Sequence, residues 1–252
     1  MLEFKNITAA CQHQIILKNI SITVPTGEIT CIVGPNGCGK TTLVQCLYGI
    51  SKVIEGTILL NGCDFLKLSY KERAKQLSFL PQVRQIIPTL PVKTLVEHGR
   101  FPYLGFARKK QKTDIDIVNQ VMDFTQTTLY SNMSADTLSG GIRQQVFFAM
   151  NLAQNCDTIV LDEPTTYLDI NRQHKFYEDI CTLKQKGKTI LLVIHDLSYA
   201  VRIADYLIVM DNRKIAAQGK PEILLKQHVI ENVFHVKCKH FKDEEGEYFL
   251  FI

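Results

Sequence analysis

The run Glu28-Ile29-Thr30-Cys31-Ile32-Val33 is β-type and leads directly into Gly34-Pro35-Asn36-Gly37-Cys38-Gly39-Lys40-Thr41-Thr42. The second stretch fits the pattern G-x-x-x-x-G-K-[ST], in which a buried strand turns through a glycine loop into a helix. Glycines at 34, 37 and 39 let backbone N–H groups point into one concavity, and a helix starting near Gly39 adds the positive end of its dipole. Such a cradle answers a polyphosphate, whose charges water would otherwise solvate. Lys40 then sets a point charge against β- and γ-phosphates, and Thr41 offers a hydroxyl to Mg²⁺. ATP and Mg²⁺ are therefore the expected ligands.

The rest of the chain extends this strand–loop–helix unit. Leu2 to Thr8 and Ile15 to Val24 read as strands of an N-terminal antiparallel layer, with Pro25-Thr26-Gly27 as the turn. Buried strands are expected at Leu77 to Leu80, Thr158 to Leu161, Thr189 to Ile194 and Tyr206 to Met210, separated by helix-compatible sequence. That alternation predicts a mostly parallel sheet with helices on both faces. From Pro88 to Cys156 strand runs vanish, and Ile115, Val118, Val121 and Met122 recur at helical spacing, which predicts an inserted helical subdomain over 88–156. From Glu222 short helices precede a terminal hairpin, Phe234 to Phe241 with Tyr248 to Ile252, giving a C-terminal extension over 222–252. With 252 residues, 46% of them hydrophobic, the whole of 1–252 suits one domain with a subdomain.

Composition excludes several classes. The net charge of +4 includes no concentrated basic tract beyond Arg108-Lys109-Lys110-Gln111-Lys112, which reads as a solvated loop, so no nucleic-acid partner is expected. The 8 cysteines show no C-x-x-C spacing and read as buried free thiols in a reducing, cytosolic compartment. No apolar run approaches the ~20 residues needed to cross a bilayer, and the N-terminus lacks a signal-peptide layout. Any membrane role must come through a partner.

Asp162 and Glu163 end an apolar strand, where acidic side chains emerge at the carboxyl edge of the sheet. Two adjacent carboxylates diverge: Asp162 can reach the Mg²⁺ shell while Glu163 faces the γ-phosphate side, as general base or to orient the attacking water. His195 follows the strand Thr189 to Ile194, so it reaches the same edge and can hydrogen-bond the γ-phosphate or the water.

With Leu138-Ser139-Gly140-Gly141 standing ahead of Ile159-Val160-Leu161-Asp162-Glu163, the chain resembles a nucleotide-binding subunit of the ATP-binding cassette (ABC) family over practically its whole length. The resemblance implies the ABC ATPase fold, a P-loop α/β architecture with the antiparallel layer and helical subdomain described above. It makes Ser139, Gly140 and Gly141 the signature that meets a γ-phosphate, Gln82 the Q-loop glutamine and a Mg²⁺ ligand, Thr166-Tyr167-Leu168-Asp169 the D-loop, and His195 the switch histidine. Two copies then pair head to tail with each ATP between the phosphate loop of one and the signature of the other, so a monomer should be nearly inactive. Where the family stacks an aromatic ring on adenine, this chain has Cys11 with His13 nearby, and His13 is the candidate substitute. The fifth signature residue, usually Gln, is Ile142; hydrolysis is expected to survive because the phosphate contacts come from Ser139 and backbone. Cys38 is expected to be a thiol that alkylation would block and ATP protect.

Within that family, the run Asp162 to Ile170, Gly99-Arg100-Phe101-Pro102-Tyr103, Ala153-Gln154-Asn155 and the short hairpin resemble the ATPases of importers for iron-siderophore, haem and vitamin B12. That implies a polytopic permease partner, a periplasmic or surface substrate-binding protein met indirectly, and a peripheral position on the cytoplasmic face of the plasma (inner) membrane. Pro81-Gln82 and Ile86 to Pro91 are the candidate groove for a permease helix. An exporter ATPase and a soluble cassette ATPase acting on DNA or ribosomes carry the same catalytic motifs and remain alternatives. His235, Cys238 and His240 read as a structural tail.

Overall fold

The computed structural model describes residues 1–11, 14–82, 88–105, 109–243 and 246–252. In chain order the first part holds β1 (Leu2–Cys11), β2 (Gln14–Val24), β3 (Ile29–Val33), α1 (Lys40–Gln45), β4 (Lys52–Leu60) and β5 (Cys63–Asp64). Next come α2 (Tyr70–Gln76), β6 (Leu77–Leu80), α3 (Val92–Glu97), α4 (Lys112–Phe124), α5 (Gly140–Ala153), β7 (Thr158–Asp162) and α6 (Ile170–Gln185). The last part holds β8 (Thr189–Val193), α7 (Leu197–Ile203), β9 (Tyr206–Asp211), β10 (Lys214–Gly219), α8 (Pro221–Lys226), α9 (Val229–Phe234), β11 (Cys238–Asp243) and β12 (Gly246–Phe251). These elements fall into two compact units, residues 1–67 with 184–252, and residues 68–183.

In the first unit β2, β1, β4 and β5 form an antiparallel sheet in that order. Leu2 faces Val24, Phe4 faces Ile22 and Ile7 faces Ile20, all buried, so one face of the layer is a continuous apolar surface. Each such side chain contributes roughly 1.5–3 kcal/mol on burial. The register shifts between Phe4 and Ile7, where Asn6 takes a positive φ of 53°. A bulge re-aims the strand there, and on β4 Gly56 lies opposite it with φ 92°; an added Cβ would stand 2.4 Å from the Lys5 carbonyl oxygen. β4 escapes a pattern-based reading because Glu55-Gly56 interrupts its apolar run, and β10 because Lys214–Gly219 carries little bulky apolar side chain.

The second sheet of this unit centres on β3, flanked by β8 and β9 in parallel, with β10 antiparallel on β9. β3 and β8 are buried at every position, the continuous apolar run expected of a strand covered on both faces. The Gly27 N–H donates to Thr189 Oγ1 at 2.9 Å and the Ile29 N–H to Asp205 Oδ2 at 2.9 Å, which ties the start of β3 to β8 and to the approach to β9. β11 and β12 form a separate hairpin paired from Cys238↔Phe251 to Asp243↔Gly246. It begins later than the sequence suggests, because Phe234 closes α9 and His235 reverses the chain in a left-handed conformation, φ 55°.

In the second unit β6 and β7 pair in parallel from Leu77↔Thr158 to Leu80↔Leu161. Among the described residues between 88 and 156 the elements are helical, apart from one isolated bridge joining Pro91 and Ser134. Val118 and Met122 of α4 and Val146, Phe147 and Leu152 of α5 are buried, whereas Ile115, which follows the same helical spacing as Val118 and Met122, is 42% exposed. The first turn of α4 is committed elsewhere. Its Asp114 accepts the Gln111 N–H and the buried Arg100 Nε, each at 2.9 Å, while Arg100 Nη1 reaches the Ala153 carbonyl at 2.9 Å. Arg100 also lies 4.0 Å from the ring centre of Tyr103. The Gln111 N–H, reinforced by Arg100, holds the Asp114 carboxyl below its usual range.

Removing one partner of a buried pair strands the other, so Asp114→Ala should destabilise the chain by about 3–5 kcal/mol in urea unfolding. Because the folded pKa is depressed, the wild-type advantage should be complete above about pH 4, the unfolded carboxyl value, and shrink as pH falls through the lower folded one.

Candidate functional site

In the first unit, the loop after β3 owes its shape to glycine. Gly37 and Gly39 take φ of 77° and 102°, and at Gly34 an added Cβ would meet the Met210 carbonyl oxygen at 2.3 Å and Cys38 Sγ at 2.6 Å. The Cys38 N–H closes the turn on the Pro35 carbonyl at 3.3 Å, leaving Asn36 and Gly37 as an exposed rim, and the Leu43 N–H donates to the Gly39 carbonyl at 3.0 Å as α1 begins. Thr41 and Thr42 are half-buried in its first turn. Lys40 is only 5% exposed, with Nζ donating to the carbonyls of Gly34 at 2.7 Å and Pro35 at 3.2 Å. A buried ammonium held by neutral oxygens is poorly compensated, and the natural complement to it is an anion lying along the loop.

His195 follows β8 and is exposed at the same carboxyl edge, because β3 and β8 run in parallel with Ile32 opposite Val193 and the Ile194 N–H donating to the Ile32 carbonyl at 3.2 Å. Asp196 caps α7 by accepting the Tyr199 N–H at 3.0 Å, which fixes the backbone just after His195.

In the second unit, the parallel register of β6 and β7 brings Gln82 and the pair Asp162 and Glu163 to one edge. The Gln82 side-chain amide donates to the Glu163 carboxylate. Asp162 is 1% and Glu163 8% exposed, and Glu163 holds φ at 48°. That left-handed conformation is unfavourable for a non-glycine residue by about 1–2 kcal/mol, so the turn needs external support. Thr166 Oγ1 donates to the Glu163 carbonyl and Gln144 Nε2 to the Pro164 carbonyl, both at 2.9 Å. Gln144 is invisible to motif reading, since a glutamine on an amphipathic helix carries no signal of its own.

Ser139 is exposed at the N-cap of the 14-residue α5, its hydroxyl making no capping bond, with Gly140 and Gly141 opening the first turn. A Cβ on Gly140 would touch Tyr167 Cβ at 3.6 Å and one on Gly141 the Tyr167 carbonyl oxygen at 3.4 Å, so the 166–169 segment lies directly on this turn. The Asp169 carboxylate accepts the Arg172 N–H at 2.9 Å and pairs with its Nε at 3.4 Å, anchoring the start of α6. His13 and residues 86–87 of the expected permease groove lie outside the described residues.

The donors suit Mg²⁺. In the second unit Gln82 brings an amide and Asp162 a carboxylate oxygen to one strand edge, and in the first unit Thr41 brings a hydroxyl, each a hard oxygen ligand of the kind this ion takes alongside water and phosphate. Among the described residues no cluster of three His, Cys, Asp or Glu forms an all-protein metal cage, at Cys238 and His240 or elsewhere.

The sequence profile described as "ABC transporter" matches residues 17–166, from β2 through the turn after Glu163. The chain belongs to this family. It is 37% identical over 240 residues to the achromobactin transport ATP-binding protein of Dickeya dadantii, covering 95% of this chain and 89% of that one. It is 37% identical over 239 residues to a petrobactin import ATP-binding protein of Bacillus anthracis, covering 94% and 88%. Its fold superposes on the dimeric structure of the bacterial ABC transporter cassette MJ0796 with a TM-score of 0.77 and 27% identity, over 88% of this chain and 99% of that one. The chain is thus the ATP-binding and ATP-hydrolysing subunit of a transporter, with the antiparallel layer and mostly parallel sheet of the cassette fold. Among its described residues no helix is long and apolar enough to cross a membrane.

The cysteines depart from expectation. Cys63 is exposed and Cys11, Cys181 and Cys238 are half-buried rather than buried, and Cys38 is buried against the loop floor rather than presented to reagent. Burial pushes the Cys38 thiol up despite the opposing charge of Lys40, and only the thiolate reacts readily. Maleimide labelling near neutral pH, read by peptide mass spectrometry, should therefore modify Cys63 well before Cys38, with or without ATP.

Proposed function

We propose that this chain energises import of an iron-chelate cargo of the siderophore type, as one cassette spanning residues 1–252 with a helical subdomain at 88–156 and a C-terminal extension at 222–252. The observation that carries the cargo class is the near full-length likeness to ATP-binding proteins whose names specify achromobactin and petrobactin. Two copies pair head to tail, each ATP lying between Gly34–Thr42 of one and Ser139–Gly141 of the other, an arrangement supported by the dimeric cassette that shares the fold. A polytopic permease holds the pair at the cytoplasmic face of the membrane, and a substrate-binding protein delivers cargo to that permease from the far side.

In this reading the loop amides and Lys40 bind the β- and γ-phosphates, and Thr41, Gln82 and Asp162 hold Mg²⁺. The ion, bound with ATP, would neutralise charge on the β- and γ-oxygens. Glu163 accepts the proton of the attacking water or orients it, His195 hydrogen-bonds the γ-phosphate side, and Gln82, already bonded to Glu163, links that carboxylate to the permease-facing loop. Ser139 and the amides of Gly140 and Gly141 cap the γ-phosphate of the partner site. Asp169 orders the D-loop beside them.

Glu163→Gln should keep ATP affinity, accumulate an ATP-bound dimer in size-exclusion chromatography and lose turnover about 100-fold or more. Lys40→Ala should instead lose nucleotide binding. In native cells Glu163→Gln should abolish uptake of radio-iron presented as ferric siderophore; unchanged uptake would reject the cargo class while leaving the ATPase assignment intact.

A further inference from the structure

Gln144 does more than fill a helix face. It stands in the second turn of α5, whose exposed N-cap is Ser139, and it is buried, with Nε2 2.9 Å from the carbonyl oxygen of Pro164. That carbonyl belongs to Pro164, the residue immediately after Glu163, which is itself held at φ 48°. A left-handed glutamate followed by proline has no inherent preference for its conformation, so its carboxylate points where the surrounding hydrogen bonds put it. Thr166 grips the same turn from its own segment, through the Glu163 carbonyl; Gln144 grips it from α5. A helix is stiff over two turns, so a displacement of Ser139 reaches Gln144, and Gln144 hands it to the turn that aims Glu163.

We propose that Gln144 is a positioning residue that couples engagement of the Ser139 end of α5 to the aim of the Glu163 carboxylate in the same chain. The inference rests on the reading of Glu163 as the hydrolytic carboxylate. In the head-to-tail dimer that end of α5 serves one ATP and Glu163 the other, so Gln144 makes each site sense whether its neighbour is filled. The step moves no proton and forms no bond; it sets a geometry.

The test uses the full chain purified with the membrane complex from which it is extracted, with ATP as the probe. Gln144→Met keeps the length and packing of the side chain and removes the N–H donor. It should lower kcat about 10- to 100-fold, the effect of a misplacement of about 1 Å, leave the ATP KM within about two-fold, and bring the Hill coefficient for ATP toward one. In a Glu163→Gln background it should cause no further loss, because both changes act through one carboxylate. Gln144→Glu supplies the second readout, and serves alone if the Met variant fails to fold. A protonated carboxyl can donate to the Pro164 carbonyl and an ionised one cannot, so its kcat relative to wild type should rise as pH falls, while that of Gln144→Met stays flat. A wild-type kcat in folded Gln144→Met, an additive loss in the Glu163→Gln background, or a pH-independent ratio for Gln144→Glu would overturn the coupling. A Glu163→Gln variant that hydrolyses ATP like wild type would overturn the underlying reading instead.

Discussion

A strand buried on both faces cannot carry an uncompensated charge, because desolvation would cost several kcal/mol. This constraint distributes the chemistry of the chain. β3 and β8 in one unit, and the strand part of β7 in the other, are apolar or hydroxyl-bearing until their last residues, and the reactive groups come where each strand ends: Lys40 just past the loop after β3, His195 after β8, Asp162 and Glu163 at the end of β7. Parallel pairing then sends those ends to one edge within each unit. Antiparallel pairing would have divided them between two edges, and no choice of side chain could have restored their convergence.

The turn after β7 carries the opposite burden. Glu163 is held in a conformation that glycine would adopt without penalty, yet a carboxylate is the group that the proposed hydrolysis asks for at that point. The fold offsets the strain with hydrogen bonds from three directions: Gln82 to the carboxylate, Thr166 to the carbonyl of the same residue and Gln144 to the next one. Each net contribution is about 0.5–1.5 kcal/mol, more where the carboxylate accepts, so together they match the strain in size. Strain balanced by a few discrete bonds is adjustable, which is the physical basis of the coupling proposed for Gln144.

Much of this was legible in the sequence where local chemistry and tertiary placement agree. The apolar runs that became β3, β6, β7, β8 and β9 announced buried strands, and the glycine spacing at 34, 37 and 39 announced the loop, because both patterns are dictated by backbone geometry alone. β4 was hidden by the glycine that its bulged neighbour demands, and β10 by the scarcity of bulky apolar residues on an edge strand. Ile115 follows helical spacing but faces outward, since Asp114 beside it is drawn inward by Arg100. Gln144 could not be found at all without coordinates: its role depends on which carbonyl lies opposite, and that is a property of the folded turn rather than of any pattern in the chain.

Lys40 carries the buried positive charge of the loop after β3. Its ammonium donates to the carbonyl oxygens of Gly34 and Pro35, an arrangement that folds the side chain over its own loop. A phosphate oxygen would add to such a bond the attraction between two full charges, which a neutral carbonyl does not supply. In the proposed reading an arriving polyphosphate would replace these neutral partners of the ammonium with charged ones. That exchange favours the bound state through differential contacts rather than through new folding, and anything that binds the native loop and not the unfolded chain stabilises the whole unit by mass action. The nucleotide is then both the substrate of the cassette and a part of what holds its phosphate loop in shape.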